Sequence, residues 1–205
     1  MTGYWQANLR DLVQTLGEED VKAQLQEFSC PLNSDVEYFI REKAIEFSRQ
    51  GIASTHIVYA SYRDRPVMVG YYALANKTVI IKAATLSSRS WRSRINKFAE
   101  YHKEIKSYIC AMPLIGQLGK NYTNGYNLLI SGDALLEIAC NKVRSAQYEL
   151  SGKLAYLECE DNPKLVEFYN KNGFTEFNKR VLEGDEHSND GKNYLLQMIK
   201  YFKGT

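Results

Sequence analysis

The stretch that decides the fold is Asn162-Pro163-Lys164-Leu165-Val166-Glu167-Phe168-Tyr169-Asn170-Lys171-Asn172-Gly173-Phe174. Asn162 is a good helix cap, and Pro163 suits the first helical position because its missing N–H has no partner there anyway. Gly173 supplies the left-handed stop that ends a helix. Leu165 and Phe168 lie three apart, so both should face a core. Tyr169 is offset by one position, toward the edge of that face. The stretch therefore predicts a short capped helix over 163–172. Its flanks are Leu154–Cys159 before it and Phe174–Phe177 after it, both rich in apolar residues at strand length.

Upstream, residues 133–150 predict a helix with Leu135, Leu136, Ala139, Val143, Ala146 and Leu150 facing inward. Before it lie a strand over 111–119 and a loop over 120–132 rich in Asn and Gly. A strand, a helix of this length and a second strand imply a parallel pair, 111–119 beside 154–159. Residues 89–109 read as a basic amphipathic helix with Trp91, Ile95, Phe98, His102, Ile105 and Ile109 on one face. Residues 54–62 and 66–75, around Arg63-Asp64-Arg65, predict a hairpin, which a third run at 78–84 can extend. A helix over 34–50 is capped by Asn33, Ser34 or Asp35, carries the stripe Val36, Phe39, Ile40, Ala44 and Phe47, and ends at Gly51. Residues 5–28 read as helical, broken near Gly17. Downstream, the polar loop 183–192 is expected to be mobile, and 194–202 forms a last strand that can pair antiparallel with 174–177.

Composition narrows the class. At 205 residues the chain can bury a full core without staples, and a net charge of +2 singles out neither nucleic acid nor membrane as partner. Cys30, Cys110, Cys140 and Cys159 are far apart, with no metal-ligand spacing, so reduced thiols in a cytoplasmic protein are expected. His56, His102 and His187 are isolated, so no metal site is expected. The first residues lack the basic and apolar regions of a signal peptide, and no run is long enough to span a membrane.

The order of elements, together with Phe168-Tyr169 and then Gly173-Phe174, resembles the GNAT superfamily of N-acetyltransferases. Phe28-Ser29-Cys30 before a helix and the hairpin ending near Gly70-Tyr71-Tyr72 resemble members that include acetylating toxins. The resemblance covers roughly 28–202. It implies a mixed α/β fold: a mostly antiparallel twisted sheet with one splayed parallel pair and helices on both faces. The domain would run over 28–205, with 1–27 as a helical embellishment and 89–109 as a basic helical insertion.

The resemblance also implies acetyl-CoA as co-substrate and an amine as acceptor, either a small molecule or a peptide. Tyr169 would protonate the departing thiolate; the structural alternative is a packing tyrosine, one of fifteen. Leu118, Gly119 and Lys120 would hold the pantetheine through their backbone, and Gly119 would let it approach closely. Asn127, Ser131 and Gly132 align with the family's pyrophosphate loop, of which only Gly132 matches. Asn162 and Phe168 would complete the cofactor site. The loop reads equally as an ordinary helix start capped by Ser131 or Asp133. Glu158, on the 154–159 strand of the parallel pair, beside the splay, is the candidate general base; a surface-facing strand glutamate is the blander reading.

Three readings of function stay open. The first is an acetyl-CoA-dependent N-acetyltransferase. The second is a narrower form, a toxin acetylating aminoacyl-tRNA, with the arginines of 89–109 on the nucleic acid. The third is a non-catalytic acyl-CoA sensor of the same fold. No membrane partner is expected, and a homodimer stays open.

Overall fold

In the computed structural model, residues 3–86, 88–184, 188 and 191–204 are described. The eight strands are β1 (Tyr4–Asn8), β2 (Ser54–Tyr62), β3 (Arg65–Lys82), β4 (Glu100–His102), β5 (Ser107–Lys120), β6 (Leu154–Cys159), β7 (Phe174–Val181) and β8 (Tyr194–Tyr201). They form one sheet in the order β1-β2-β3-β5-β6-β8-β7, with β4 beside β5. The α-helices are α1 (Leu9–Leu16), α2 (Glu18–Gln26), α3 (Ser34–Tyr38), α4 (Ala44–Gln50), α5 (Arg89–Ile95), α6 (Gly132–Leu150) and α7 (Pro163–Lys171). This is the expected mixed α/β architecture. Its parallel pair is β5 with β6, joined at the single register position Leu114↔Tyr156. β6 and β8 pair antiparallel, as do β7 and β8.

The chain forms two compact units, residues 1–75 with 115–140, and residues 76–114 with 141–205. Each has its own core. The first gathers Leu9, Val21, Leu25, Phe28, Ile40 and Tyr71. The second gathers Val79, Ile81, Ile95, Met112, Tyr156 and Ile199. Cys30, Cys110, Cys140 and Cys159 are all buried and none is in a disulfide.

Local signals fix several elements as read. Asn33 accepts from the N–H groups of Asp35 and Val36, and Gly51 closes α4 at φ 72°. One turn of π-helix, Phe39–Lys43, joins α3 to α4. Arg63 and Asp64 turn the β2–β3 hairpin in left-handed conformations, φ 50° and 60°. The run 66–75 and the first part of 78–84 prove to be one long strand, β3, which ends at Lys82; Ala83–Thr85 form a 3-10 turn.

Three expectations are corrected. Residues 4–8 are not helical: β1 pairs with β2, Trp5 opposite Tyr59, and the helix starts only at Leu9, capped by Asn8. Residues 89–109 are not one helix. α5 ends at Ile95, and β4 folds back on β5 with Tyr101 opposite Tyr108, their rings 4.9 Å apart. The hairpin turns at Lys106, φ 50°, and Ile105, expected inside, is 52% exposed. The apolar spacing imitates a helical period, but the aromatic cross-strand pair decides for a strand. On α6, Ala146 is exposed and Leu150 is 83% exposed, while Gln147 turns inward and donates to the Leu154 carbonyl at 2.7 Å. His187 and part of the loop 183–192 lie outside the described residues.

Candidate functional site

The ends of the opening helix form as its sequence requires, but Leu165 and Phe168, expected to face a core, are only half-buried, and α7 has no fully buried residue. Asn162 Oδ1 accepts from the Lys164 N–H at 3.0 Å, Pro163 takes the first helical position, and Gly173 turns at φ 82°. Phe168 and Tyr169 are both half-buried. The Tyr169 ring meets Phe168 edge-on at 5.0 Å and Phe174 at 5.9 Å. Burial pushes its phenol well above the ordinary value, and the neighbouring Cys159 adds to the effect. Tyr169 is thus a neutral O–H at any physiological pH. Asn162 spends its side chain on the cap.

In the same unit, Glu158 is not the surface-facing glutamate of the blander reading. Arg180 on β7 donates to both its oxygens, Nε to Oε1 at 2.8 Å and Nη2 to Oε2 at 2.7 Å. The Tyr156 hydroxyl also donates to Oε1. Gln197 Nε2 donates to that hydroxyl at 2.6 Å, and Asn178 Nδ2 donates to Gln197 Oε1 at 3.0 Å. Burial pushes the Glu158 carboxyl up, but the bonds from Arg180 and Tyr156 outweigh it and the net direction is down. Tyr156 is pushed far up by burial and by the carboxylate it serves. A carboxylate held this way is a weak proton acceptor. Sequence reading missed Arg180, Asn178, Tyr156 and Gln197. The signal was alternation: Tyr156 with Glu158 on β6, and Asn178 with Arg180 on β7, past the Phe177 at which the strand was expected to end.

The first unit holds the other residues. Leu118 is half-buried and Gly119 buried, at the end of β5. A Cβ on Gly119 would overlap Val36 Cγ1 and lie 3.3 Å from Phe28 Cζ. The glycine is therefore required by core packing, a different reason from the expected cofactor approach. Lys120 turns its ammonium into the following loop and donates to the carbonyls of Asn127 at 2.9 Å and Ile130 at 3.2 Å. Asn121 anchors the loop's start: its N–H donates to Val69 O at 2.9 Å and its Oδ1 accepts from Ser29 and Thr123, each at 3.1 Å. Ser131 Oγ accepts from the Ala134 N–H at 3.0 Å, so Ser131 caps α6 and Gly132 is its first residue. Among the described residues, no cluster of His, Cys, Asp and Glu could hold a metal, and no helix is long and apolar enough to cross a membrane.

This architecture is that of the GNAT fold. The chain is similar to AtaT in complex with acetyl-methionyl-tRNAfMet, with 20% identity, a TM-score of 0.60, and 95% of this chain and 94% of that one covered. It is similar to a tyrosine-to-phenylalanine variant of KacT, with 14% identity, a TM-score of 0.59, and 94% and 93% covered. It is also similar to AtaTR bound with AcCoA, with 19% identity, a TM-score of 0.53, and 94% and 91% covered. At these identities the likeness establishes the fold. No protein-family model and no curated protein sequence matches the chain.

Proposed function

We propose that this protein is an acetyl-CoA-dependent N-acetyltransferase in which Tyr169 is the general acid. The observation that carries the reading is the placement of the Tyr169 ring on α7, edge-on to Phe168 at 5.0 Å and to Phe174 at 5.9 Å. Acetyl-CoA supplies the acetyl group as a thioester. The acceptor amine attacks the thioester carbonyl, a C–N bond forms and the C–S bond breaks. The thiolate takes the Tyr169 proton, the amine loses its extra proton to water, and the Tyr169 phenolate regains a proton from solvent as CoA leaves. Exclusion of water raises the proton affinity of a thiolate leaving there, which suits a phenol donor.

Two features support a co-substrate site at the residues proposed for it, the end of β5 and the start of α6. Asn121 donates across to Val69 on β3, so strand alternation turns the peptide groups of Gly119 toward β3 and those of Leu118 and Lys120 to the opposite edge. Those groups suit the amides of a pantetheine arm. Ser131 uses its oxygen as the α6 cap and keeps its O–H to donate to a pyrophosphate at Gly132, where the helix dipole favours an anion. Lys120 shapes the loop through Asn127. Asn162 and Phe168 act by building α7, and Glu158 acts as a positioning residue rather than a base, because Arg180 occupies both its oxygens.

A narrower reading is favoured by AtaT, a similar structure that is complexed with acetyl-methionyl-tRNAfMet: the acceptor is the amino group of an aminoacyl-tRNA. The arginines considered for that role divide in the fold. Arg94 lies over the rings of Trp91 at 5.3 Å and Tyr201 at 4.9 Å, whereas Arg89 and Arg92 are exposed.

Calorimetry with acetyl-CoA, followed by assay of thiol release against amines and aminoacyl-tRNA, tests both. Binding with release is expected. No binding overturns the enzyme reading, and binding without release from any acceptor favours the sensor.

A further inference from the structure

We propose that the Lys120 side chain is a positioning group for the phosphates of the co-substrate, a role that rests on the acetyl-CoA reading above. Its ammonium braces the loop 121–131, sets the direction of the peptide group that opens α6, and supplies a positive charge that the loop itself lacks. Between Lys106 and Lys142 the chain has no other basic residue, whereas Asp133 puts an acid in the first turn of α6. A helix end offers an anion only a partial charge, on the order of half a unit. A full positive charge is needed to outweigh the acid, and within this stretch only Lys120 can give it.

The contacts of Lys120 fix direction as well as charge. It is half-buried at the end of β5, and its Nζ donates to the carbonyls of Asn127 at 2.9 Å and Ile130 at 3.2 Å. In a trans peptide the C=O and the next N–H point opposite ways. With the Ile130 carbonyl turned onto Lys120, the Ser131 N–H faces away from it. The rest of Ser131 is held into α6: Oγ accepts from the Ala134 N–H at 3.0 Å and the carbonyl from the Leu135 N–H at 3.1 Å. The Ser131 N–H is thereby left, with the first N–H groups of the helix, to an acceptor outside the loop.

The other end of the loop is fixed independently. Asn121 is buried, and its Nδ2 donates to Met68 O at 2.9 Å while its Oδ1 accepts from the N–H groups of Ser29 and Thr123. The Thr123 hydroxyl donates to Glu27 O. Between the two anchors the chain reverses through Asn124 and Gly125, at φ 53° and 75°. Both ends are therefore set without help from a ligand, which lowers the ordering cost of binding one. A lysine that only braced the loop would matter equally for ligands with and without phosphate. One that also holds its charge and peptide dipoles for an anion matters for the phosphates alone.

The test is calorimetry on the full chain with acetyl-CoA, inorganic pyrophosphate and S-acetylpantetheine, which carries the thioester but no phosphate. In Lys120→Met, the affinities for acetyl-CoA and pyrophosphate should each fall about tenfold, and that for S-acetylpantetheine by less than about twofold. Lys120→Arg, which keeps the charge, should recover most of the loss. The KM for acetyl-CoA should rise more than kcat falls. If Lys120→Met does not fold, Lys120→Gln serves the same comparison. Equal losses for acetyl-CoA and S-acetylpantetheine overturn the proposal, as do unchanged affinities or an arginine variant as weak as the neutral one. The underlying reading fails separately: a wild type that binds pyrophosphate but not acetyl-CoA sinks that reading, while the pyrophosphate titrations still decide the role of Lys120. A wild type that binds neither sinks both.

Discussion

Arg180 grips Glu158 through both carboxylate oxygens, at 2.8 and 2.7 Å, with the two side chains only 20% and 13% exposed. Removing one partner of such a pair leaves a charge without compensation in a site that water barely reaches. Arg180→Met should therefore destabilise the protein by about 3–5 kcal/mol, whereas Glu158→Leu with Arg180→Met together should be close to neutral. Urea unfolding of the single and double variants checks this. Equal costs for the single and double changes would show that the pair is not the source of the loss.

The same pair gives stability a pH dependence. The folded carboxyl of Glu158 lies below its unfolded value, so its contribution is present above about pH 4.3 and is lost as pH falls from there through the folded value. Wild type minus Glu158→Gln should thus show a stability difference that shrinks on acidification below that point. A difference that grew with acid would reverse the sign and refute the assignment.

Tyr169→Phe keeps the ring contacts with Phe168 and Phe174 and removes only the hydroxyl. Turnover should fall by about 10²–10⁴-fold with little change in acetyl-CoA affinity. In the wild type, kcat should not decline with a midpoint near the ordinary phenol value of about 10, because burial raises Tyr169 above it and the donor stays protonated. Unchanged turnover in the variant removes Tyr169 from the mechanism.

Gly119→Ala would drive its methyl group into Val36 Cγ1, on a β-branched side chain that turns poorly. A cost of about 1–3 kcal/mol is expected from overpacking. In a Val36→Ala background the same change should cost clearly less. Chemical denaturation of the four proteins measures that coupling, and simple additivity would mean that the two sites do not touch.

Alone, the sequence determined what short-range chemistry dictates. Asn162, Pro163 and Gly173 bounded α7, Asn33 and Gly51 bounded the helical run 34–50, and the strand–helix–strand order around α6 implied that 111–119 and 154–159 pair in parallel, as β5 and β6 do. Caps, turns and periodicity act within a few residues, so they survive in a one-dimensional reading. Where two periods fit the same residues, as in 96–109, the reading failed, because Tyr101 against Tyr108 is a contact that exists only once the hairpin forms. Only the tertiary structure decided that Gly119 answers to Val36 and that Lys120 is spent on the carbonyls of its own loop. It also decided that Glu158 belongs to Arg180, a partner 22 positions away that the register of β6, β8 and β7 brings within hydrogen-bond reach.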